Sequence, residues 1–243
     1  MLLRNMAGFG LFLLNSSSEC QLPTIMKLMY ITGSHSSGKS RLLNAIGEYP
    51  GVVTFPRLPR NELFDEREYE LLADHNVQEV KVFEKLSKRL ADSFLEAKSQ
   101  IEFARKQPPK VIVADRFLPD SLAYMMTCFE LHWLNQNEFN ELQEKFEASL
   151  LSTNNIHYRG IFLNPPFTEV QKEFDLKNLN GSRFWERQCR LLETAHRMFE
   201  YVYQDYLPNL HKDNKWLTVN SFGLNDLRST ASEEIELFMN DAG

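Results

Sequence analysis

Apolar positions fall along this chain in two patterns, short solid runs and longer stretches with helical spacing. Lys27–Thr32 (KLMYIT), Gly51–Phe55 (GVVTF), Val111–Ala114 (VIVA), Gly160–Leu163 (GIFL) and Trp216–Asn220 (WLTVN) are short apolar runs, each read as a strand. The clearest of them is continuous rather than alternating, as expected of a parallel sheet covered on both faces. Between Gln78 and Lys106, Val80, Val82, Phe83, Leu86, Leu90, Phe94 and Ile101 recur at helical spacing and predict one long helix or two, stopped by Pro108 and Pro109. Lys39–Glu48, Leu118–Cys128, Glu138–Leu151, Arg183–Tyr206 and Asp226–Met239 read as further helices, the fourth ending near Pro208. Asn164–Ser182 carries Pro165, Pro166, Gly181 and many charges, and reads as a mobile segment. Strands alternating with helices predict an α/β fold, a parallel five-stranded sheet with helices on both faces.

Length and composition narrow this picture. The chain's 243 residues suit one α/β domain or a domain with a small lid, and a 43% hydrophobic content is ample for a core. A net charge of −6 argues against a general nucleic-acid binder and leaves room for a locally basic phosphate pocket. Three cysteines, far apart and odd in number, show neither zinc spacing nor a disulfide framework, so a cytoplasmic setting is expected. Residues 1–25 stand apart. Ala7–Leu14 is apolar, follows Arg4 and precedes Ser16, Ser17 and Ser18, which resembles a weak signal-peptide core too short to span a membrane. Because Met26 opens the first strand, residues 1–25 are expected to be a dispensable extension and residues 26–243 the working domain. No membrane association is expected.

Candidate chemistry begins where the first strand ends. Gly33, Ser34, His35, Ser36, Ser37, Gly38, Lys39 and Ser40 fit G-x-x-x-x-G-K-[ST], with a strand before and a helix after. Glycines at the ends let the backbone curl so that successive N–H groups face phosphate oxygens, and the following helix adds its positive end. The pattern implies ATP and Mg²⁺ as cofactors. Lys39 is expected to bridge the β- and γ-phosphates, Ser40 to ligate Mg²⁺, and Arg41 to lie beside them. His35 is expected to point out of the loop with its N–H on phosphate. The plain alternative is a Gly/Ser-rich turn before a helix.

A second signal stands at the end of the strongest strand. Asp115 and Arg116 follow VIVA, on the edge of an open α/β sheet where ligands bind. Asp115 can either hold the Mg²⁺ shell or take a proton from an acceptor hydroxyl, and Arg116 can clamp a phosphate by a bidentate fork. Alternatively, Asp115 caps the next helix and Arg116 pairs with a surface carboxylate.

The segment Asp115-Arg116-Phe117-Leu118-Pro119-Asp120-Ser121-Leu122-Ala123-Tyr124 resembles the D-R-[YF]…A-Y segment of thymidylate kinases. It is equally similar to the D-R-x-x-x-D-x-x-A-Y segment of AAA-type P-loop kinases related to ribosylnicotinamide kinase. Asn180-Gly181-Ser182-Arg183-Phe184-Trp185-Glu186-Arg187 resembles their lid-to-helix junction, and Thr54-Phe55-Pro56-Arg57 resembles the substrate-side F-P-R of thymidylate kinases. The chain departs from thymidylate kinases at Met125, where a glutamine or threonine is usual. The resemblance implies a P-loop NTPase fold with a mobile lid at about 164–187, and a kinase acting on a small nucleoside or nucleotide. Asp120 and Tyr124, with Arg116, would then contact the acceptor, and Arg183 and Arg187 would reach the phosphates from the lid.

Other positions stay open between two uses. Arg57 and Arg60 suit an acceptor site or a solvated loop. Lys172, Lys177, Arg183, Arg187 and Arg190 form a solvated stripe or a closing lid. Ser221-Phe222-Gly223 is a turn or a backbone contact to adenine. Three functions compete: phosphoryl transfer from ATP to a nucleoside or nucleotide, the same chemistry on a hydroxyl of a modified base in DNA, and a nucleotide-dependent ATPase or switch. The acidic charge disfavours the second, and no water-positioning glutamine or glutamate is evident for the third. A homodimer is compatible with all three.

Overall fold

The computed structural model of the chain describes residues 26–55, 63–74, 76–107, 110–153, 158–177, 183–210, 215–221 and 223–240. Among these, five strands form one sheet: β1 (Lys27–Gly33), β2 (Val52–Thr54), β3 (Val111–Asp115), β4 (Tyr158–Leu163) and β5 (Lys215–Val219). All neighbours are parallel, in the order β2-β3-β1-β4-β5. The helices are α1 (Lys39–Ile46), α2 (Glu66–Ala73), α3 (Val77–Val80), α4 (Val82–Arg105), α5 (Pro119–Glu130), α6 (Gln136–Leu151), α7 (Phe167–Lys177) and α8 (Arg183–Tyr201). A π-helical turn (Val202–Tyr206), α9 (Leu207–Leu210) and α10 (Leu224–Asn240) follow. Among the described residues no helix is long and apolar enough to cross a membrane.

Alternation along each strand divides the core in two. Met29, Ile31, Val111, Val113, Ile161 and Leu163 face α1 and α10, packing against Leu42, Ile46, Leu227, Ala231 and Ile235. Leu28, Tyr30, Ile112, Ala114, Tyr158 and Phe162 belong to the larger core on the other face, with α4, α5, α6 and α8. The expected α/β sheet, covered on both faces, is therefore what the chain forms. The chain leaves β1 by α1 on one face and β3 by α5 on the other. The carboxyl ends of these two neighbouring strands thus bound a crevice, the usual ligand position in an open parallel sheet.

Several elements differ from the sequence-based expectation, each for a local reason. Of the two alternatives for Gln78–Lys106, one helix or two, the chain forms two, because Lys81 sits at φ 52°, ψ 49°, a left-handed conformation that interrupts the ladder. The apolar pattern does not predict α2, although Asp65 and Glu68 form a capping box at its start. A second capping box, Asn135 with Glu138, starts α6 two residues before Glu138. Within Asn164–Ser182, which reads as a mobile segment in the sequence, Phe167–Lys177 is helical. Pro166 precedes this helix instead of breaking it, its carbonyl accepting from the Glu169 and Val170 amides at 2.8 and 3.2 Å.

Proline also explains the far end of α8. Among the described residues the helical path passes through Pro208 to Leu210, in keeping with an end near Pro208. Proline has no N–H to donate, and its ring clashes with the carbonyl four residues back in an α-helix. Widening the preceding turn to π geometry, with the Leu207 amide reaching back to the Val202 carbonyl, relieves both problems.

One glycine is fixed by packing. Gly160 on β4 pairs with Trp216 on β5, and a Cβ at Gly160 would lie 2.0 Å from the indole ring. The ring crosses this gap to meet Tyr158 and Tyr203 at centroid distances of 5.8 and 4.6 Å. Gly160→Ala must push the indole aside. It is expected to cost about 1–3 kcal/mol, as overpacking does, which lowers the melting temperature by roughly 2–4 °C for each kcal/mol in a chain of this size. A thermal melt of the variant checks this.

Candidate active site

The phosphate loop leaves β1 at Gly33, whose φ is 146°. A Cβ there would meet the Leu163 carbonyl oxygen and the Ser37 hydroxyl, each at 2.6 Å, so only glycine fits. Ser36 and Gly38 also have positive φ, 58° and 97°, and complete the curl. At the start of α1, the helix N-terminus has no side-chain cap and no acidic residue in its first turn. No carboxylate there competes for the positive end of the helix dipole, which favours an anion at the loop. Lys39 is 6% exposed and folds back over the loop, donating from Nζ to the carbonyls of Gly33 (2.7 Å) and Ser34 and to the Ser37 hydroxyl (3.3 Å). Ser40 stands exposed beside it, on the first turn of α1. Arg41 points away to Glu173 on α7, at 3.4 Å across the surface.

These residues fit a nucleotide triphosphate and its divalent ion by their donor chemistry. The loop supplies backbone N–H groups and one buried ammonium, which match phosphate oxygens. No group of three or more His, Cys, Asp or Glu side chains suited to a metal occurs among the described residues.

The second signal lies next to the first, because the sheet register pairs Ile31 with Asp115, two residues before Gly33. Asp115 is 7% exposed. It does not cap α5, whose N-cap is Leu118 with no side-chain cap. Arg116 takes φ 70°, uncommon for a residue with a side chain, and its amide donates to the Ile31 carbonyl at 2.9 Å. That turn folds the guanidinium under α5, where NH1 donates to Asp120 Oδ2 at 3.3 Å and to the Tyr124 hydroxyl at 3.4 Å. The partner is therefore buried, not a surface carboxylate. Burial alone would favour loss of the Arg116 proton, but Tyr124, Asp120 and Asp115 outweigh it and push the pKa up, so the site keeps a fixed cation.

The Asp120 carboxylate is 3% exposed and accepts from the Thr32 hydroxyl, the Tyr203 hydroxyl and Arg116. The Tyr124 hydroxyl shares a 2.8 Å hydrogen bond with Nε2 of His35, so the loop histidine rests on α5. Of the other expected positions, Arg190 is exposed, and Lys172 is taken up by Glu169 at the surface. Ser221 accepts from the Gly223 amide and donates to Asp226, which makes this stretch a turn into α10. Arg57, Arg60 and Phe222 lie outside the described residues, as do the side chains of Lys177, Arg183 and Arg187.

A family model described as an AAA domain matches residues 28–209. The chain belongs to this AAA-domain family. No curated protein matches it. Among solved structures, deoxyadenosine kinase from M. mycoides with bound dATP aligns at a TM-score of 0.63 and 16% identity, over 86% of this chain and 99% of that one. The same enzyme with dCTP aligns at 0.60 and 16%, and with its products dCMP and dCDP at 0.56 and 15%, over the same shares. At these identities the likeness is one of fold.

Three residues of this AAA-domain chain join the site without a sequence signal. His196 on α8 places Nδ1 2.9 Å from the Ser34 hydroxyl, and burial lowers its pKa against the opposing pull of Glu200. Tyr203 reaches Asp120 from the π-helical turn. Arg89 on α4 lies 5.9 Å from the Tyr124 ring centroid. His196 and Arg89 sit on ordinary amphipathic helices and Tyr203 on the π-helical turn, all far from the loop in sequence, and only tertiary packing delivers them. For Tyr203, the proline five residues on hinted at an irregular turn.

Proposed function

We propose that this protein transfers the γ-phosphoryl group of ATP, with Mg²⁺, to a nucleoside or nucleotide acceptor. The observation that carries this reading is the juxtaposition, across neighbouring strand ends, of a curled phosphate loop closed by Lys39 with the buried Asp115 and with Arg116, whose guanidinium is tied to Asp120. A phosphate-binding loop alone would serve any nucleotide hydrolase. A buried carboxylate and a locked guanidinium beside it suit a reaction with a second substrate. The fold likeness to deoxyadenosine kinase adds support and favours a nucleoside over a thymidylate-type nucleotide as acceptor.

In this mechanism ATP supplies the phosphoryl group and Mg²⁺ offsets charge on its phosphates. Backbone amides of Gly33–Ser40 and the α1 terminus hold the phosphates, and Ser40 would hold the metal ion. Lys39 shifts from the loop carbonyls toward phosphate oxygens, a small movement of a flexible stem. Asp115 takes the proton from the acceptor hydroxyl, or would help hold the metal ion's water. Arg116 steadies negative charge as it moves between donor and acceptor. Arg183 and Arg187 would close over the phosphates from a lid at about 164–187, with Arg57 and Arg60 on the acceptor side.

Residues 164–182 of that lid are expected to gain amide protection when ATP and acceptor bind together. Hydrogen exchange by mass spectrometry reads this directly, and equal protection in both states would remove the lid from the mechanism. The acceptor itself is tested with γ-labelled ATP and a panel of nucleosides, nucleotides and oligonucleotides. Label is expected in a nucleoside product. Label only in oligonucleotides would point to the modified-base reading.

A further inference from the structure

We propose that Asp120 and Tyr203 are positioning residues that anchor one edge of the Arg116 guanidinium and so present its other edge to the transferring phosphoryl group; this rests on the kinase reading above.

Among the described residues, the side-chain hydrogen bonds of Arg116 all leave from NH1, to Asp120 and to Tyr124. The Nε and NH2 edge is the edge of the planar fork that binds an anion with two parallel bonds. A fork is useful for this only if it cannot swing. NH1 is tied to Asp120 Oδ2, while Oδ1 of the same carboxylate accepts from Thr32 at the end of β1 and from Tyr203. The carboxylate is thereby pinned from two directions, by the strand that feeds the phosphate loop and by the π-helical turn after α8.

Tyr203 is held as firmly as the group it holds. It is 1% exposed, its ring lies stacked on Phe162 at 5.0 Å, and the Trp216 ring meets it edge-on at 4.6 Å. Burial, reinforced by Asp120, raises its pKa, so the hydroxyl remains a proton donor to the carboxylate. Its placement depends on the π-helical turn that Pro208 requires. Asp120 itself faces three donors in a buried setting, so its use is to hold Arg116 rather than to touch a ligand.

Tyr203→Phe keeps the ring and its packing and removes only the hydroxyl. With Asp120 held by one fewer donor, kcat is expected to fall roughly tenfold, as loss of orientation does, while ATP affinity stays within about twofold. In an Arg116→Lys background, which has no fork to orient, the same change is expected to cost nothing further. An activity-independent readout accompanies the kinetics: the Arg116 Nε–H signal in ¹⁵N-resolved NMR, assigned by its loss in Arg116→Lys, should shift and exchange faster in Tyr203→Phe. Thr32→Val removes the other donor to Oδ1 and serves as the second variant should the tyrosine change unfold the chain. An unmoved Arg116 signal, an unchanged kcat, or losses that multiply in the double variant would overturn the proposal. A moved signal in a protein whose wild type transfers no phosphoryl group would instead count against the kinase reading and leave the anchor standing.

Discussion

Lys39→Ala is expected to abolish phosphoryl transfer while leaving a folded protein. The ammonium is the one buried cation of the phosphate loop, already held over it by the carbonyls of Gly33 and Ser34. A preorganised charge of this kind lowers the transition state far more than an exposed lysine would, and loss of one such group costs on the order of 10²–10³-fold in rate. That corresponds to roughly 3–4 kcal/mol of barrier. The folded state loses hydrogen bonds to two carbonyls that a relaxed loop can turn toward water, so a melting shift of no more than a few degrees is expected. Steady-state kinetics with a thermal melt of the same preparation separates the two effects. Near-normal transfer would remove Lys39 from the mechanism.

Asp115→Asn is expected to lower kcat by on the order of 10²-fold or more with a smaller change in ATP affinity. The amide keeps the size of the carboxylate and one acceptor oxygen. It can neither carry the charge nor take a proton, so a purely structural Asp115 would tolerate it. Arg116→Lys divides two roles for its neighbour. Lysine keeps the charge and loses the fork. If Arg116 grips the acceptor, acceptor KM rises. If it grips the moving phosphoryl group, kcat falls. Wild-type kinetics in both variants would leave only the phosphate loop to support the function.

What was legible in the sequence follows from how local each feature is. The strands could be read because a strand buried on both faces must be a continuous apolar run, as in Val111–Ala114. The phosphate loop was legible because backbone curl demands glycine at fixed positions, and Gly33 shows the demand in full. Asp115 and Arg116 declared themselves as charges at the end of such a strand. The polar links around them could not be read. Asp120 meets Thr32 across 88 residues and Tyr203 across 83, and Ser34 meets His196 across 162. No periodicity encodes such meetings, which arise only when α5 and α8 pack over the sheet. The helical turns at Glu66–Ala73 and after Pro166 belong to a third kind. Their capping and proline signals were present and local, and the charged, proline-bearing composition around them masked the pattern.

The most direct measurement of the central claim is the fate of the γ-phosphoryl group when labelled ATP and Mg²⁺ are given to the wild-type protein with and without a nucleoside acceptor. A kinase built as described moves the label onto the acceptor hydroxyl, adds the mass of one phosphoryl group to it, and releases little free phosphate in its absence. Label appearing as free phosphate at the same rate whether or not an acceptor is present would contradict that claim and make the protein a nucleotide hydrolase.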